Sequence, residues 1–346
     1  MAVRPVNLNS EQEELLDILG RNLKDLSHVR RFQWFYYNNP SGTAWSWFAY
    51  EKGSKKIVGV ASVFPRFVWV GDEVKRCGQV GDFAIDISYR SLGPAVMLQR
   101  ATFEPVQEGL LAFCYDCPPH ESGMSTFRRL GMQANCQMYR YARLLKTDRQ
   151  LVQYLGQGRL AAYSAVIGNL LLELWAFQKY KIAGLEISYY TDHFGEEFSQ
   201  LDARVGGSKV IRSQRKAEDL NWHYRDNPLH EYQVLTARQN GELLAFIVFF
   251  VSDQDIFIVD LFGLKFPDAA LQLLEAVIEH KKEKSIQTLQ ATISDANSLT
   301  DVLHKAGFRY RAKGAQVVAY TQPGTEIFGM LHGGLPWSLN YTDILA

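Results

Sequence analysis

An excess of charge of either sign is what this 346-residue sequence lacks: lysine plus arginine and aspartate plus glutamate number 37 each. That balance removes the long-range electrostatic case for nucleic acid or an anionic membrane as partner. Short basic runs such as Arg128-Arg129 and Lys281-Lys282 then read as solvated faces. Cysteine is also scarce. Four residues, Cys77, Cys114, Cys117 and Cys136, do not make a disulfide framework in a chain this long. Cys114 and Cys117 form a CxxC pair, but they straddle the end of an expected core strand with no second pair or histidine at ligand spacing, so no metal is expected. Met1 to Ser10 has neither a basic stretch nor an apolar core, so no secretory signal is read and cytoplasmic residence is the expectation. The one apolar run of near-membrane length, Leu160 to Phe177, is broken by Gly168, Asn169 and Glu173, which points to a buried or interdomain helix and not a span.

What is present suits a globular protein. Hydrophobic residues make up 47% and charged ones 21%, and the length is comfortable for two domains with a core each. Near the start, Asn9-Ser10 followed by Glu13 reads as a capping box for a helix carrying Leu15, Leu16, Ile18 and Leu19.

The most informative stretch is Tyr89-Arg90-Ser91-Leu92-Gly93-Pro94-Ala95, which follows the strand-like Phe83 to Ile87 and opens a helix with a stripe of Val96, Met97, Ala101 and Phe103. The first N–H groups of a helix lack partners and carry the positive end of its dipole, so this turn suits a pyrophosphate. Gly93 would let the anion approach closely. Pro94 suits the first helical position, although it withdraws one donor. Beyond it, Leu110 to Tyr115 reads as a second buried strand, Pro118-Pro119 break it, Glu121 to Leu130 reads as a short helix, and Gly131 sits where a helix C-cap belongs.

An internal repeat is equally plain. Trp34-Phe35-Tyr36-Tyr37-Asn38-Asn39-Pro40 and Trp222-His223-Tyr224-Arg225-Asp226-Asn227-Pro228 share the pattern WxYxxNP. The register continues through Ala49 and Gly53 against Ala237 and Gly241, each pair followed by an apolar strand, Ile57 to Val63 and Leu243 to Val251. Ala306-Gly307-Phe308 then matches Leu130-Gly131-Met132. Because the motif occurs in both copies, it reads as a structural corner whose Asn-Pro ends a helix. Where the first copy has RxxGxA, the second has Leu264-Lys265-Phe266-Pro267-Asp268-Ala269-Ala270, with neither arginine nor glycine.

Strand, RxxGxA, helix, strand, helix and Phe127-Arg-Arg-Leu-Gly131-Met132, in that order, resemble the GNAT superfamily of acyl-CoA N-acyltransferases over roughly residues 30 to 145. The resemblance implies an α+β fold: two tandem GNAT-like domains, each a mostly antiparallel sheet with a splayed parallel strand pair and flanking helices. The expected boundaries are 1–146 for an acyl-CoA-binding domain, 147–183 for a helical connector and 184–346 for a degenerate copy. By the same resemblance, Arg90, Ser91, Leu92, Gly93 and Ala95 cradle the coenzyme A pyrophosphate, pantetheine adds to a splayed strand, and a backbone N–H near Ile85 holds the oxyanion.

Bases in the superfamily are often carboxylates on that strand. Asp82 and Asp86 share one face by the period-two rule, and Asp82 has an equal structural reading as a buried aspartate capping a turn or pairing with an arginine. Asp260, its counterpart in the second copy, favours the structural reading. Many members carry a tyrosine four residues before the last glycine; here that position is Phe127. Tyr115 or water would then protonate the departing thiolate, or the protein is not a working transferase. His120 and Glu121 read as a helix cap and its first-turn carboxylate. The implied function is acyl transfer from acetyl-CoA to a small-molecule or sugar amine. The alternatives are a Fem-type aminoacyl or peptidyl transferase, against which the neutral charge and intact RxxGxA weigh, and a non-catalytic acyl-CoA-binding protein.

Overall fold

The computed structural model describes residues 1–90, 92–148, 184–207, 209–264, 267–281 and 286–344. The Leu160 to Phe177 run, the rest of the connector beyond Asp148, Ser91, Lys265, Phe266 and Lys282 lie outside the described residues. Among the described residues no helix is long and apolar enough to cross a membrane.

The strands are β1 Ala2–Pro5, β2 Trp45–Tyr50, β3 Ile57–Val70, β4 Glu73–Ile85, β5 Phe113–Asp116, β6 Cys136–Leu144, β7 Leu185–Tyr189, β8 Ile211–Ser213, β9 Gln233–Gln239, β10 Glu242–Ser252, β11 Asp255–Gly263, β12 Thr288–Ser294 and β13 Arg309–Tyr320. The helices used below are α1 Gln12–Asn22, α2 Leu92–Ala101, α3 Glu121–Arg129, α4 Glu196–Val205, α5 Ala217–Tyr224, α6 Asp268–Lys281 and α7 Leu299–Lys305. All strands join one mixed sheet in the order β1-β2-β3-β4-β5-β13-β6-β12-β11-β10-β9-β7, with β8 paired to β3. Two parallel pairs, β4 with β5 and β11 with β12, interrupt otherwise antiparallel halves.

The order reads the same from either end, with one exchange at its centre. β6, which follows α3 of the first copy, pairs with β12 of the second, and β13, which follows α7 of the second, pairs with β5 of the first. β6 and β13 also pair with each other. Each copy therefore completes the other's half of the sheet, and no free strand edge separates them.

Long apolar strands follow from coverage on both faces. On one side Val60, Phe64 and Ala84 pack against Leu15, Ile18 and Leu19 of α1, and on the other Val58, Ala61, Val63 and Val80 meet Leu98 and Ala101 of α2. In the second half α6 packs on Leu235, Ala245, Ile247 and Leu289, and α4 and α5 pack on Phe246 and Val248. Pro65 lies inside β3, where a missing N–H is normally costly. It falls between the end of β2 pairing at Val63 and the start of β8 pairing at Val68, so that edge has no neighbour to lose. The Pro65 carbonyl accepts instead from Asn39 Nδ2 at 2.9 Å, which gives the first Asn-Pro motif its structural task.

The repeat closes on itself. Trp34 Nε1 donates to the Trp222 carbonyl at 2.8 Å, Trp222 Nε1 returns the bond to the Trp34 carbonyl at 2.9 Å, and the rings stack at 4.9 Å. Both copies end their last helix in the same left-handed glycine cap, Gly131 with φ 77° and Gly307 with φ 79°. The expected capping box does not form. Helix α1 begins one residue later, after Glu11, whose carboxylate is held by Arg4 at 2.6 and 2.9 Å and accepts from the Asn7 amide at 2.8 Å.

Candidate functional site

β4 and β5 are paired only at Cys77 with Phe113, Gly78 with Cys114 and Gln79 with Tyr115, and then part. Close approach at this vertex depends on Gly78, where a Cβ would lie 2.4 Å from Val63 Cγ1 and 2.9 Å from Leu111 Cδ1. Beyond it β4 bulges, because Ser62 pairs with Gly81 and Val60 with Ala84, and Asp82 takes φ 48°. Asp86 N donates to Val58 O at 2.8 Å, so the alternation of an extended strand turns the Ile85 N–H the other way, toward the gap. The Ile85 carbonyl accepts from Arg90 Nε at 3.0 Å. Among the described residues no strand pairs with this edge of β4 after Gln79.

The turn that follows runs through a single 3₁₀ turn, Ile87–Tyr89, into α2. Ile87 is 80% exposed, which is unusual for a branched apolar residue and leaves it facing the space beyond the strand end. The helix begins at Leu92, so Pro94 is its third residue and not the first; its missing N–H still falls among the unpaired donors. The inward stripe is Pro94, Leu98 and Ala101, whereas Met97 of the expected stripe is exposed and Val96 only half-buried. Ala95 packs against the core, and Gly93 is exposed with no atom within 4 Å of where its Cβ would be. Arg90 is anchored from below, donating to Asn22 Oδ1 at 3.3 Å.

Each expected catalytic residue has structural partners. Asp82 is buried, with both oxygens at 2.8 Å from Arg31 and a 2.5 Å bond from the Tyr36 hydroxyl. Asp86 accepts from Asn22 Nδ2 at 2.9 Å and faces Arg21 at 3.3 Å. The Tyr115 hydroxyl donates to the Asp343 carbonyl at 2.8 Å, and burial pushes its pKa well above the ordinary value. Phe127 is buried among Phe103, Met124 and Val318. His120 occupies the N-cap position of α3 without a side-chain capping bond, and Glu121 pairs with Arg128 at the surface. Cys114 is buried under the Thr102 carbonyl, and burial raises the Cys117 thiol.

The second copy repeats the splay and fills it. β11 and β12 pair from Asp255 with Thr288 to Ile258 with Ala291 and then part. Into that gap comes the carboxy-terminal segment. Asn340 bridges to Ile293, Ser294 N donates to Leu339 O at 3.0 Å, Asn340 Nδ2 donates to Asp260 Oδ1 at 2.6 Å, and Thr342 Oγ1 donates to Val259 O at 3.2 Å. Asp260 is buried as Asp82 is, paired with Arg215 at 2.8 Å and with Tyr224 at 3.3 Å.

No protein-family model and no curated protein matches this sequence. Solved structures do match. A GCN5-related N-acetyltransferase from Anabaena variabilis aligns with a TM-score of 0.66 at 13% identity, over 92% of this chain and 72% of that one. A probable N-acyltransferase from Enterococcus faecalis gives 0.65 at 12% identity, over 92% and 71%. Saccharomyces cerevisiae N-myristoyltransferase, solved with bound myristoyl-CoA and inhibitors, gives 0.59 at 13% identity, over 92% and 80%. The fold is that of the GNAT superfamily. In GNAT terms the first half shows an open splayed pair beside a helix-opening turn, and the second shows the same pair closed by its own chain. Sequence reasoning missed Arg31, Asn22 and the carboxy-terminal segment, because each reaches its partner across at least 51 residues of chain.

Proposed function

We propose that this protein is an acyl-CoA-dependent N-acyltransferase with a single acyl-CoA site between β4 and β5. The carrying observation is the unpaired edge of β4 beyond Gln79, beside a helix start whose Gly93 has open space around it. A helical glycine with φ below zero and no neighbour to avoid has no structural reason to be glycine, and it costs helix stability relative to alanine. Room for a close external ligand is a reason.

The residues fit an acyl-CoA as substrate. Arg90, the backbone of Ser91, Leu92 and Gly93, and the first turn that Ala95 anchors would hold the pyrophosphate. The Ile85 N–H would stabilise the oxyanion as the thioester carbonyl is attacked. Asp82 and Asp260 are read as paired structural groups, since both sit in the same arginine–tyrosine setting in both copies. Asp86 holds the turn through Asn22, which also holds Arg90. Tyr115, with a raised pKa and a hydroxyl already donated, is a poor acid for the thiolate, and water is the better donor. Acetyl is the acyl group proposed and a small-molecule or sugar amine the acceptor, with residues 1–146 supplying the site and 184–346 shaping the cleft. Phe127 in place of a tyrosine supports a second reading, an acyl-CoA-binding protein without turnover.

Calorimetry with acetyl-CoA on the wild type and Gly93→Asp tests the proposal. Binding at one site per chain, lost when a carboxylate enters the cradle, is expected. Absence of binding to the wild type sinks it.

A further inference from the structure

The Arg90 side chain sits on the backbone edge that an incoming thioester arm would use. Gly59 and Ile85 face each other across β3 and β4 without exchanging bonds, because the ladder bond beside them runs from Asp86 N to Val58 O at 2.8 Å. The Ile85 carbonyl therefore points away from β3 and toward the gap, as its N–H does. The chain then turns back through Ile87–Tyr89, and Arg90 Nε donates to that carbonyl at 3.0 Å. The last carbonyl of the open edge is thus already capped, and by a side chain.

The cap is a weak one. Both acceptors of Arg90, the Ile85 carbonyl and Asn22 Oδ1 at 3.3 Å, are neutral, and the residue is exposed. Asp86, the carboxylate of the same turn, is engaged by Asn22 and Arg21. Among the described residues no carboxylate pairs with the Arg90 guanidinium. A hydrogen bond to an anion is roughly twice as strong as one to a neutral acceptor, and a guanidinium meets a phosphate through two parallel bonds. A pyrophosphate arriving at the turn outcompetes both neutral acceptors. An uncharged ligand does not.

The second half supplies the contrast. There the gap is closed by main chain, and the corresponding turn, Leu264 to Ala270, contains no arginine. The side-chain cap accompanies the edge that stays open.

We propose that Arg90 is the specificity-determining residue of the donor site: it covers the Ile85 carbonyl until a pyrophosphate draws the guanidinium away, and so admits acyl-CoA while opposing the same thioester arm without phosphates. Once uncovered, the Ile85 carbonyl accepts an amide N–H of the pantetheine arm as the arm adds along β4. This assignment rests on the acyl-CoA reading above and adds a sign to it, since Arg90 favours one ligand and opposes the other.

The test measures binding of two thioesters by calorimetry, to the wild type and to Arg90→Met, with urea unfolding as the check that the variant folds. One is acetyl-CoA. The other is S-acetylpantetheine, which ends in a hydroxyl where acetyl-CoA continues into the pyrophosphate and nucleotide. In the variant, acetyl-CoA affinity is expected to fall about 10–100-fold, the scale of a lost charge-assisted bond, and acetylpantetheine affinity to rise about two- to tenfold, the scale of a neutral hydrogen bond that no longer has to break. Inorganic pyrophosphate gives a second measurement on the wild type: by occupying Arg90 it should raise acetylpantetheine affinity by the same about two- to tenfold, with no gain in Arg90→Met. If the variant does not fold, this wild-type measurement decides. An arginine that binds phosphate without covering the edge predicts weaker acetyl-CoA binding and unchanged acetylpantetheine binding in both measurements. That result overturns the assignment and leaves the acyl-CoA site standing. A wild type that binds neither thioester ends the acyl-CoA reading, and this assignment falls with it.

Discussion

In the amino-terminal half β4 leaves β5 after Gln79 and the exposed backbone edge stays unpaired, whereas in the carboxy-terminal half β11 leaves β12 after Ile258 and residues 339–342 bond to both sides. A splayed pair exposes peptide groups that need partners. One half satisfies them from within the chain, and the other leaves them open, as the proposed strand-like addition of an acyl-CoA requires. Duplication of a fold therefore does not duplicate a site: a short segment in the gap is enough to turn a slot into core. The same asymmetry runs through the repeat, where Arg31 of the first copy and Arg215, at a different position of the second, hold the matching aspartates.

The largest expected effect comes from the buried aspartates that the two halves share. Asp82→Ala or Asp260→Ala strands a buried arginine and should cost about 3–5 kcal/mol in urea unfolding. Asp260→Ala should cost more, because Asp260 also anchors Asn340. Equal losses would show that the segment in the second gap contributes little. Next, Asn340→Leu removes the bridge between Asp260 and Asn297 and is expected to lose about 1–3 kcal/mol. Acetyl-CoA stoichiometry should stay at one per chain, since the second turn has no glycine. Two equivalents would break the comparison.

A third prediction concerns pH. Asp116 ends β5, and β12 carries no carboxylate. Burial pushes Asp116 up to about 7, with the Cys117 N–H partly opposing it. An acid whose folded pKa is raised is favoured in its protonated form, so stability is highest below the unfolded value of about 4 and falls as pH rises to about 7, after which it levels. Asp116→Asn should flatten this slope in unfolding measured from pH 4 to 8; an unchanged slope would assign it elsewhere. The smallest effect is at Gly93. Gly93→Ala, in open space, should stabilise α2 by up to about 1 kcal/mol while weakening acetyl-CoA binding. Stabilisation without weaker binding would separate the glycine from the cradle.

Much of this was legible in the sequence. RxxGxA, the WxYxxNP repeat and the two glycine caps placed both copies, because helix ends and turns are set by neighbouring residues. The structural reading of Asp82 also came from the chain, through its match with Asp260, while turn capping and arginine pairing stayed open until the fold placed Arg31. Errors arose where a local rule met a distant partner. Glu11, held by Arg4, takes the N-cap place expected of Ser10. The exposure of Met97 shows the same limit for a short apolar stripe. Asp82 and Asp86 do share one face as expected, Asp82 meeting Arg31 and Asp86 meeting Asn22 on the α1 side of the sheet.

The sequence by itself determined the two copies, the order of their elements and which of them carries the turn with glycine, since these depend on spacing and on local backbone preference. Only the tertiary structure decided that β6 and β13 change places and that the second gap is filled by residues 339–342. Those outcomes turn on contacts between segments far apart in the chain, whose closure depends on the packing of the whole sheet and leaves no periodic mark on the residues that make them.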